Sequence, residues 1–94
     1  MNKKDKELVF KILRSTYYSS LYEYVYKHKH FMQKDLKKAL DIKYHSHIST
    51  TIKFFRDNGL IECKNEKDVN YKFYNSTSKF DKLKEEVEKY TKTN

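Results

Sequence analysis

The sequence of 94 residues contains no proline, one glycine and one cysteine. It therefore offers no segment with the composition of a linker, and we expect a single domain over residues 1–94. Cys63 has no second cysteine to pair with inside the chain, which suits a reducing cytoplasm or a disulfide between two subunits. With Gly59 alone, the glycine-rich loops that hold nucleotides are excluded in practice.

Long apolar runs are also missing. No segment approaches the length of a membrane span, and residues 1–5 lack the apolar stretch of a signal peptide. We therefore expect a cytoplasmic protein with no membrane partner. Enzymatic chemistry has little support, because no nucleophile stands beside a base and the aspartates are scattered. The sequence indicates no enzyme, no cofactor and no metal site.

Positive charge, by contrast, is abundant. Lysine supplies 19 of the 21 basic residues, and the net charge is +8. An excess of this size in a small domain favours a polyanion as partner, whether duplex DNA, RNA or an anionic membrane surface. A coding bias toward lysine, asparagine and tyrosine is the alternative. The 9 tyrosines and 6 phenylalanines are enough for an aromatic core, which argues against a disordered chain.

Residues 4–29 are expected to be helical. Over residues 4–15 the apolar stripe is formed by Leu8, Val9, Ile12 and Leu13. Ser15 and Thr16 could break this helix, but Ser19 and Ser20 are stronger signals for the start of a second one. Ser20 followed by Glu23 has the spacing of a capping box. Two helices and one bent helix both remain open. Residues 31 and 32 are expected to lead into the next helix.

Residues 33–58 have the pattern of two helices joined by a turn. The apolar positions of the first helix, over about residues 33–40, are Leu36, Ala39 and Leu40, with Ile42 behind them. Those of the second helix, over about residues 45–57, are Ile48, Ile52 and Phe55. Gly59 is expected to end the second helix, because glycine accepts the left-handed backbone conformation.

A polar face lies opposite the apolar stripe of the second helix, given a rotation of about 100° per residue. This face carries Ser46, Thr50, Lys53 and Asp57, with Ser49 and Phe54 at its flanks. Short polar side chains let a helix approach the major groove and bond to phosphates or base edges. An ordinary solvated face is the alternative. Phe54 is expected to pack on the N-terminal helix or on a second subunit.

A basic β-hairpin is predicted over residues 60–74. A strand over 60–64 and a polar tip over 65–68 precede a return strand in which Val69, Tyr71 and Phe73 alternate to one face. A lone hairpin is marginal in water, so this one must pack on the helices. The lysines available to the backbone of a duplex are Lys64, Lys67 and Lys72. Protection of an edge strand is the alternative reason for them.

The last helix is expected over residues 78–92 and has an apolar seam at heptad spacing. Charged residues surround the seam, so we expect it to need a partner, either the same helix or the first helix of a second subunit. Packing back on the chain's own domain is the alternative. The predicted dimer interface comprises Leu8, Ile12, Phe80, Leu83, Val87 and Tyr90.

Residues 21–74 resemble the winged helix-turn-helix regulators of the ArsR/MarR kind. The matching features are Asp35-Leu36 through Leu40-Asp41-Ile42, then Ile48, Ile52 and Phe55, then Asn58-Gly59-Leu60-Ile61, and finally Tyr71-Lys72-Phe73-Tyr74. The whole chain is similar to small regulators, of an archaeal, plasmid or viral kind, with a further helix on each side of this core. The resemblance implies a mainly α fold with a small β-hairpin (α+β), and for a viral protein the host cytoplasm.

Two features depart from the family pattern. Ile42 and Ile48 are six steps apart where the family usually has five, so the base-facing residues can be shifted by one position. The tip of the hairpin lacks the usual Asp-Gly-Arg type of turn, and Lys67 stands where a wing arginine would enter the minor groove.

The resemblance implies a regulator of transcription that binds duplex DNA sequence-specifically. We expect a homodimeric repressor that reads an inverted repeat with half-sites roughly 34 Å apart. The positions that would meet the major groove are Ser46, His47, Ser49, Thr50 and Lys53. Those that would meet phosphates are Lys64, Lys67 and Lys72, with Gln33, Lys34 and Lys43 anchoring the backbone. The alternatives are a protein-interaction module with this fold and a sequence-blind architectural protein.

The four histidines form two pairs, at residues 28 and 30 and at residues 45 and 47. A regulatory metal site is the less favoured interpretation, because members of an i, i+2 pair point to different helix faces and no cysteine pair is present. We expect His28 at the edge of the core, and His45 and His47 as polar groups near DNA. Cys63 is expected to be buried and inert, with a redox switch or an intersubunit disulfide as alternatives.

Overall fold

The computed structural model describes residues 3–40, 42–67 and 72–92. It has a mainly helical α+β fold, as predicted, with a small three-stranded antiparallel sheet in place of the predicted two-stranded hairpin. The elements are α1 (Lys3–Arg14), α2 (Thr16–Lys27), β1 (His30–Met32), α3 (Gln33–Ala39), a 3-10 helix (Ile42–His47), α4 (Ile48–Asp57), β2 (Ile61–Cys63), β3 (Phe73–Ser76) and α5 (Ser78–Lys92).

The N-terminal segment forms two helices, and the break lies at Ser15. This residue is extended (φ −101°, ψ 126°), and its hydroxyl oxygen accepts a hydrogen bond from the Tyr18 amide at 3.2 Å. Such a cap satisfies one of the free amides at a helix start. The predicted start at Ser20 is therefore wrong. Ser19 instead uses its hydroxyl to donate to the carbonyl of Ile12 at 2.6 Å, which ties the start of α2 to the end of α1.

The sheet has the strand order β1-β3-β2, with β3 antiparallel to both neighbours. The predicted hairpin corresponds to β2 and β3, although β3 starts at Phe73 and continues to Ser76; residues 69 and 71 lie outside the described part. Strand β1 was not predicted. Tyr74 in the central strand pairs with both Phe31 and Cys63, and its side chain is buried on the inner face.

The apolar seam of α5 packs on the chain's own helices. Five of the six residues predicted to form a dimer interface are buried within this single chain: Leu8, Ile12, Phe80, Leu83 and Val87. That prediction is wrong for these five, because they pack against one another and against the rest of the core within one chain. Tyr90 is half-buried, and its ring lies 5.2 Å from that of Phe10. Among the described residues, the large apolar side chains that stay exposed are Phe10, Leu13 and Tyr26.

Helices α3 and α4 bury most of the positions predicted for them. Leu36, Ile48, Ile52 and Phe55 are buried as expected, whereas Ala39 is exposed and Leu40 half-buried. Phe54 stacks on Tyr18 of α2 with ring centroids 4.1 Å apart, which confirms packing on the N-terminal helices. Helix α4 begins later than predicted, because residues 42–47 wind as a 3-10 helix. Its last residue is Asp57, and Gly59 follows in the predicted left-handed conformation (φ 72°).

Candidate nucleic-acid interface

A basic cleft of about 780 Å³ opens between α3, α4 and the start of β3. The residues that line this basic cleft are Gln33, Lys34, Lys37, Ser49, Ile52, Lys53, Arg56, Asp57, Lys72 and Tyr74. Five of these residues are cationic and one, Asp57, is anionic. Low-dielectric walls with charge of one sign focus the electrostatic field, so the cleft favours anions.

Ser49 and Lys53 of α4 form one wall of the cleft. With Thr50 beside them they define the outward face of this helix, and all three side chains are exposed. Ile48 and Ile52 are buried at 4% exposure, although Ile52 also reaches the lining of the cleft. The Lys53 ammonium pairs with Asp57 one turn later at 2.9 Å, and both side chains are mostly exposed. Exposed pairs at this spacing contribute only about 0.3–0.5 kcal/mol. Lys53 can therefore exchange Asp57 for another anion at little cost.

The other wall comes from the junction of the sheet with α3. The amide of Gln33 donates to the carbonyl of Lys72 at 3.1 Å, and the Tyr74 hydroxyl donates to the Gln33 side-chain oxygen at 3.2 Å. Burial raises the pKa of Tyr74, so this phenol remains a proton donor at neutral pH. Asp35 accepts the Met32 amide at 3.3 Å and caps α3, which fixes the start of this helix at the edge of the cleft.

The cleft brings together five residues predicted from the sequence: Gln33, Lys34, Ser49, Lys53 and Lys72. It also contains two cations that the sequence analysis missed, Lys37 and Arg56. Each lies one helical turn after a predicted contact, Lys37 after Lys34 and Arg56 after Lys53. Because residues three apart share a helix face, that spacing is the signal that would have found them.

The two histidines predicted near DNA have structural contacts. His45 is half-buried, with its Nε2 atom 2.8 Å from the carbonyl oxygen of Lys37 in the last turn of α3. His47 is exposed but stacks on Tyr17 of α2, with ring centroids 4.1 Å apart. Together they fasten the 3-10 helix to α3 and α2. We therefore place His45 among the residues that hold the fold rather than in the interface.

The remaining predicted contacts lie around the cleft. Ser46 is exposed on the 3-10 helix, and Lys67 is exposed in the turn after β2. Lys64 is exposed at the end of β2, where its ammonium lies 3.1 Å from the Glu62 carboxylate. Hydrogen bonding from the Asn75 amide, and then Lys64, lowers the pKa of Glu62 and keeps this carboxylate charged. The side chain of Lys43 lies outside the described part.

The base of the β2–β3 connection is fixed by Asn65. Its side-chain oxygen accepts the Phe73 amide at 2.7 Å, while the Lys64 amide donates to the Phe73 carbonyl at 2.8 Å. Cys63 is half-buried beside it, with Sγ 3.8 Å from the same oxygen. The two strands therefore stay paired next to α4 up to the point where the connection leaves the sheet.

Within the described residues, no three His, Cys, Asp or Glu side chains come together as a group that could hold a metal ion. None of the helices described here has the length and apolar character needed to cross a membrane. Comparison of the chain with models of protein families, with curated proteins and with solved structures gives no match. Function is therefore inferred from the charge and geometry of the cleft.

Proposed function

We propose that the protein binds duplex DNA sequence-specifically, with the outward face of α4 in the major groove, and that it regulates transcription as a repressor. The observation that carries the proposal is the continuity of two features. Ser49 and Lys53 belong both to the exposed polar face of α4 and to the lining of the five-cation cleft. Base reading and phosphate binding are thereby available on one surface.

The dimensions support this arrangement. An α-helix with its side chains is about 10–12 Å wide, and the major groove is about 12 Å wide. Serine, threonine and lysine reach base edges without holding the helix away from them. The order of α3, 3-10 helix, α4, β2 and β3 corresponds to that of a winged helix-turn-helix, with the β2–β3 connection as the wing. On this basis Lys64 and Lys72 would contact phosphates beside the groove.

A homodimer would let the protein read an inverted repeat. Since the seam of α5 is buried, its contacts must come from elsewhere. Phe10 and Leu13, which lie one turn apart on α1, are 40% and 39% exposed. We propose this pair as the centre of the contact between two subunits.

Fluorescence anisotropy with labelled mixed-sequence DNA tests the proposal. We expect duplex DNA to bind more tightly than single strands of DNA or RNA of equal length. Affinity should fall steeply with salt: if each subunit neutralises about four phosphates, the log–log slope is about −3.6 for one bound subunit and about −7 for a dimer. Equal affinity for every duplex sequence would indicate an architectural protein. No binding even at low salt would leave a protein-interaction module.

A further inference from the structure

Arg56 occupies a special position in the basic cleft. It lies on the last turn of α4, its side chain is 33% exposed, and its guanidinium pairs with the carboxylate of Glu66 in the turn after β2. Its charge also acts on the phenol of Tyr74 in β3, where it opposes the rise in pKa caused by burial. The guanidinium therefore lies where α4, β3 and the β2–β3 connection meet.

The Glu66 carboxylate and a phosphodiester are chemically equivalent partners for this group. A guanidinium binds either anion through two parallel N–H donors, and arginine is better suited than lysine to such bidentate contacts. Glu66 itself is 67% exposed, so its ion pair is worth at most about 1 kcal/mol. A phosphate contact, in contrast, gains the release of a condensed counterion from the DNA. Exchange of the carboxylate for a phosphate is therefore favourable when DNA is present.

We infer that Arg56 is a phosphodiester-binding residue of the DNA interface and that Glu66 occupies it in the free protein. This inference rests on the proposed function. When the duplex enters the cleft, a backbone phosphate takes the place of the carboxylate, and the Glu66 side chain turns to solvent. Affinity is thereby lowered by the free energy needed to break the ion pair. Glu66 therefore lowers the affinity for DNA without itself contacting DNA.

Five variants and the wild type test this inference by duplex-DNA anisotropy over a range of salt concentrations. Glu66→Gln removes the competitor, Arg56→Gln removes the contact, and the double variant removes both. Glu85→Gln is the charge-matched control, since this carboxylate is exposed on α5 and does not line the cleft. We expect Glu66→Gln to tighten binding by about two- to fivefold, as an exposed ion pair predicts. Arg56→Gln should weaken binding and reduce the magnitude of the salt slope by about 0.9 for each bound subunit.

The double variant distinguishes the exchange of Glu66 for a phosphate on Arg56 from a general effect of removing a negative charge. If Glu66 acts through Arg56, the gain from Glu66→Gln disappears when Arg56 is glutamine. A gain that persists there, or one no larger than that of Glu85→Gln, overturns the inference. Arg56→Lys keeps the charge but not the bidentate geometry, so its affinity for the duplex should lie between those of the wild type and Arg56→Gln. Circular dichroism verifies that each variant is folded. Absence of wild-type binding would defeat the proposed function itself, whereas normal wild-type binding with an inert Glu66 defeats only this inference.

Discussion

Two surfaces of this chain have the sequence pattern of an interaction site, and the fold treats them differently. The seam of α5 is buried by the chain itself, with Phe80 at 1% and Leu83 at 4% exposure. The outward face of α4 stays exposed at Ser49, Thr50 and Lys53. Apolar side chains at helical spacing show that a face will be covered, but any apolar surface can cover it. A polar face is covered only at a cost, so its exposure follows more directly from the sequence.

The largest expected effect is on the buried seam. Phe80→Ala should lower the free energy of unfolding by about 3–5 kcal/mol, because the ring is buried and leaves a cavity beside Tyr22, whose ring is 5.3 Å away. Phe10→Ala, on the exposed side of α1, should cost much less. Urea denaturation of both variants measures the difference.

Denaturation of the wild type and of Phe80→Ala, compared at each of several protein concentrations, shows which chain covers the seam. If the chain covers its own seam, the loss caused by Phe80→Ala is independent of concentration. A loss that appears only where subunits associate would place Phe80 between subunits and contradict the packing described above.

The next effect concerns the outward face of α4. The double variant Thr50→Ala/Lys53→Ala should bind its preferred duplex about 10- to 100-fold more weakly, at roughly 1 kcal/mol or more for each lost contact. Its unfolding free energy should stay within about 0.5 kcal/mol of the wild type, because both side chains are exposed. Lys82→Ala on α5 is the matched control for loss of charge. Unchanged affinity in the double variant would refute α4 as the reading helix.

A smaller effect is expected where the two regions join. Gly59 ends α4 with φ 72°, and its carbonyl accepts the hydroxyl of Thr77, which also caps α5. Gly59→Ala should lower the free energy of unfolding by about 1–2 kcal/mol, because alanine is strained at this positive φ. Crowding does not add to the cost, since the new Cβ would lie 3.5 Å from the Lys79 side chain, an ordinary contact distance. Thermal unfolding is the measurement. Gly59→Asn should cost less, since asparagine tolerates this conformation; an equal cost for both would point to crowding instead.

The smallest effect at neutral pH is expected for Tyr22→Phe. Burial, with the neighbouring Tyr26 and Glu88, raises the pKa of Tyr22 to about 12. Since the folded pKa exceeds the unfolded value of about 10, ionisation of this phenol has no effect on stability below pH ~10 and lowers the free energy of unfolding as the pH rises from 10 toward 12. Unfolding free energies at pH 7 should nearly coincide, whereas between pH 10 and 12 the wild type should lose stability faster. Parallel pH curves would contradict the burial of this phenol.

The sequence alone was sufficient for elements whose signals are local. Helix α5 has its predicted bounds, and Gly59 ends α4 as expected. Strand β1 was missed because it has three residues and exists only through pairing with β3, far along the chain. The start of α2 was misplaced because several serines compete there, and tertiary contacts decide between them. The Ser19 hydroxyl donates to the carbonyl of Ile12, and the Ser15 hydroxyl is the one that caps α2.

The same distinction applies to the candidate site. The polar face of α4 follows from the spacing of Ile48, Ile52 and Phe55, so Ser49 and Lys53 were predictable. The role of Arg56 was not, since it depends on the approach of Glu66 from the β2–β3 connection. The contact of His45 was not predictable for a similar reason, because its partner is the Lys37 carbonyl across the turn. Local periodicity predicts which face is exposed, and only the folded chain shows which charges meet.

Selection of duplexes from a random pool by the purified protein is the direct test of whether α4 reads DNA sequence. At roughly physiological salt, we expect enrichment of one short motif, repeated in inverted orientation about one helical turn apart if the protein acts as a dimer. Retention of DNA without any enriched motif would contradict sequence-specific reading by α4.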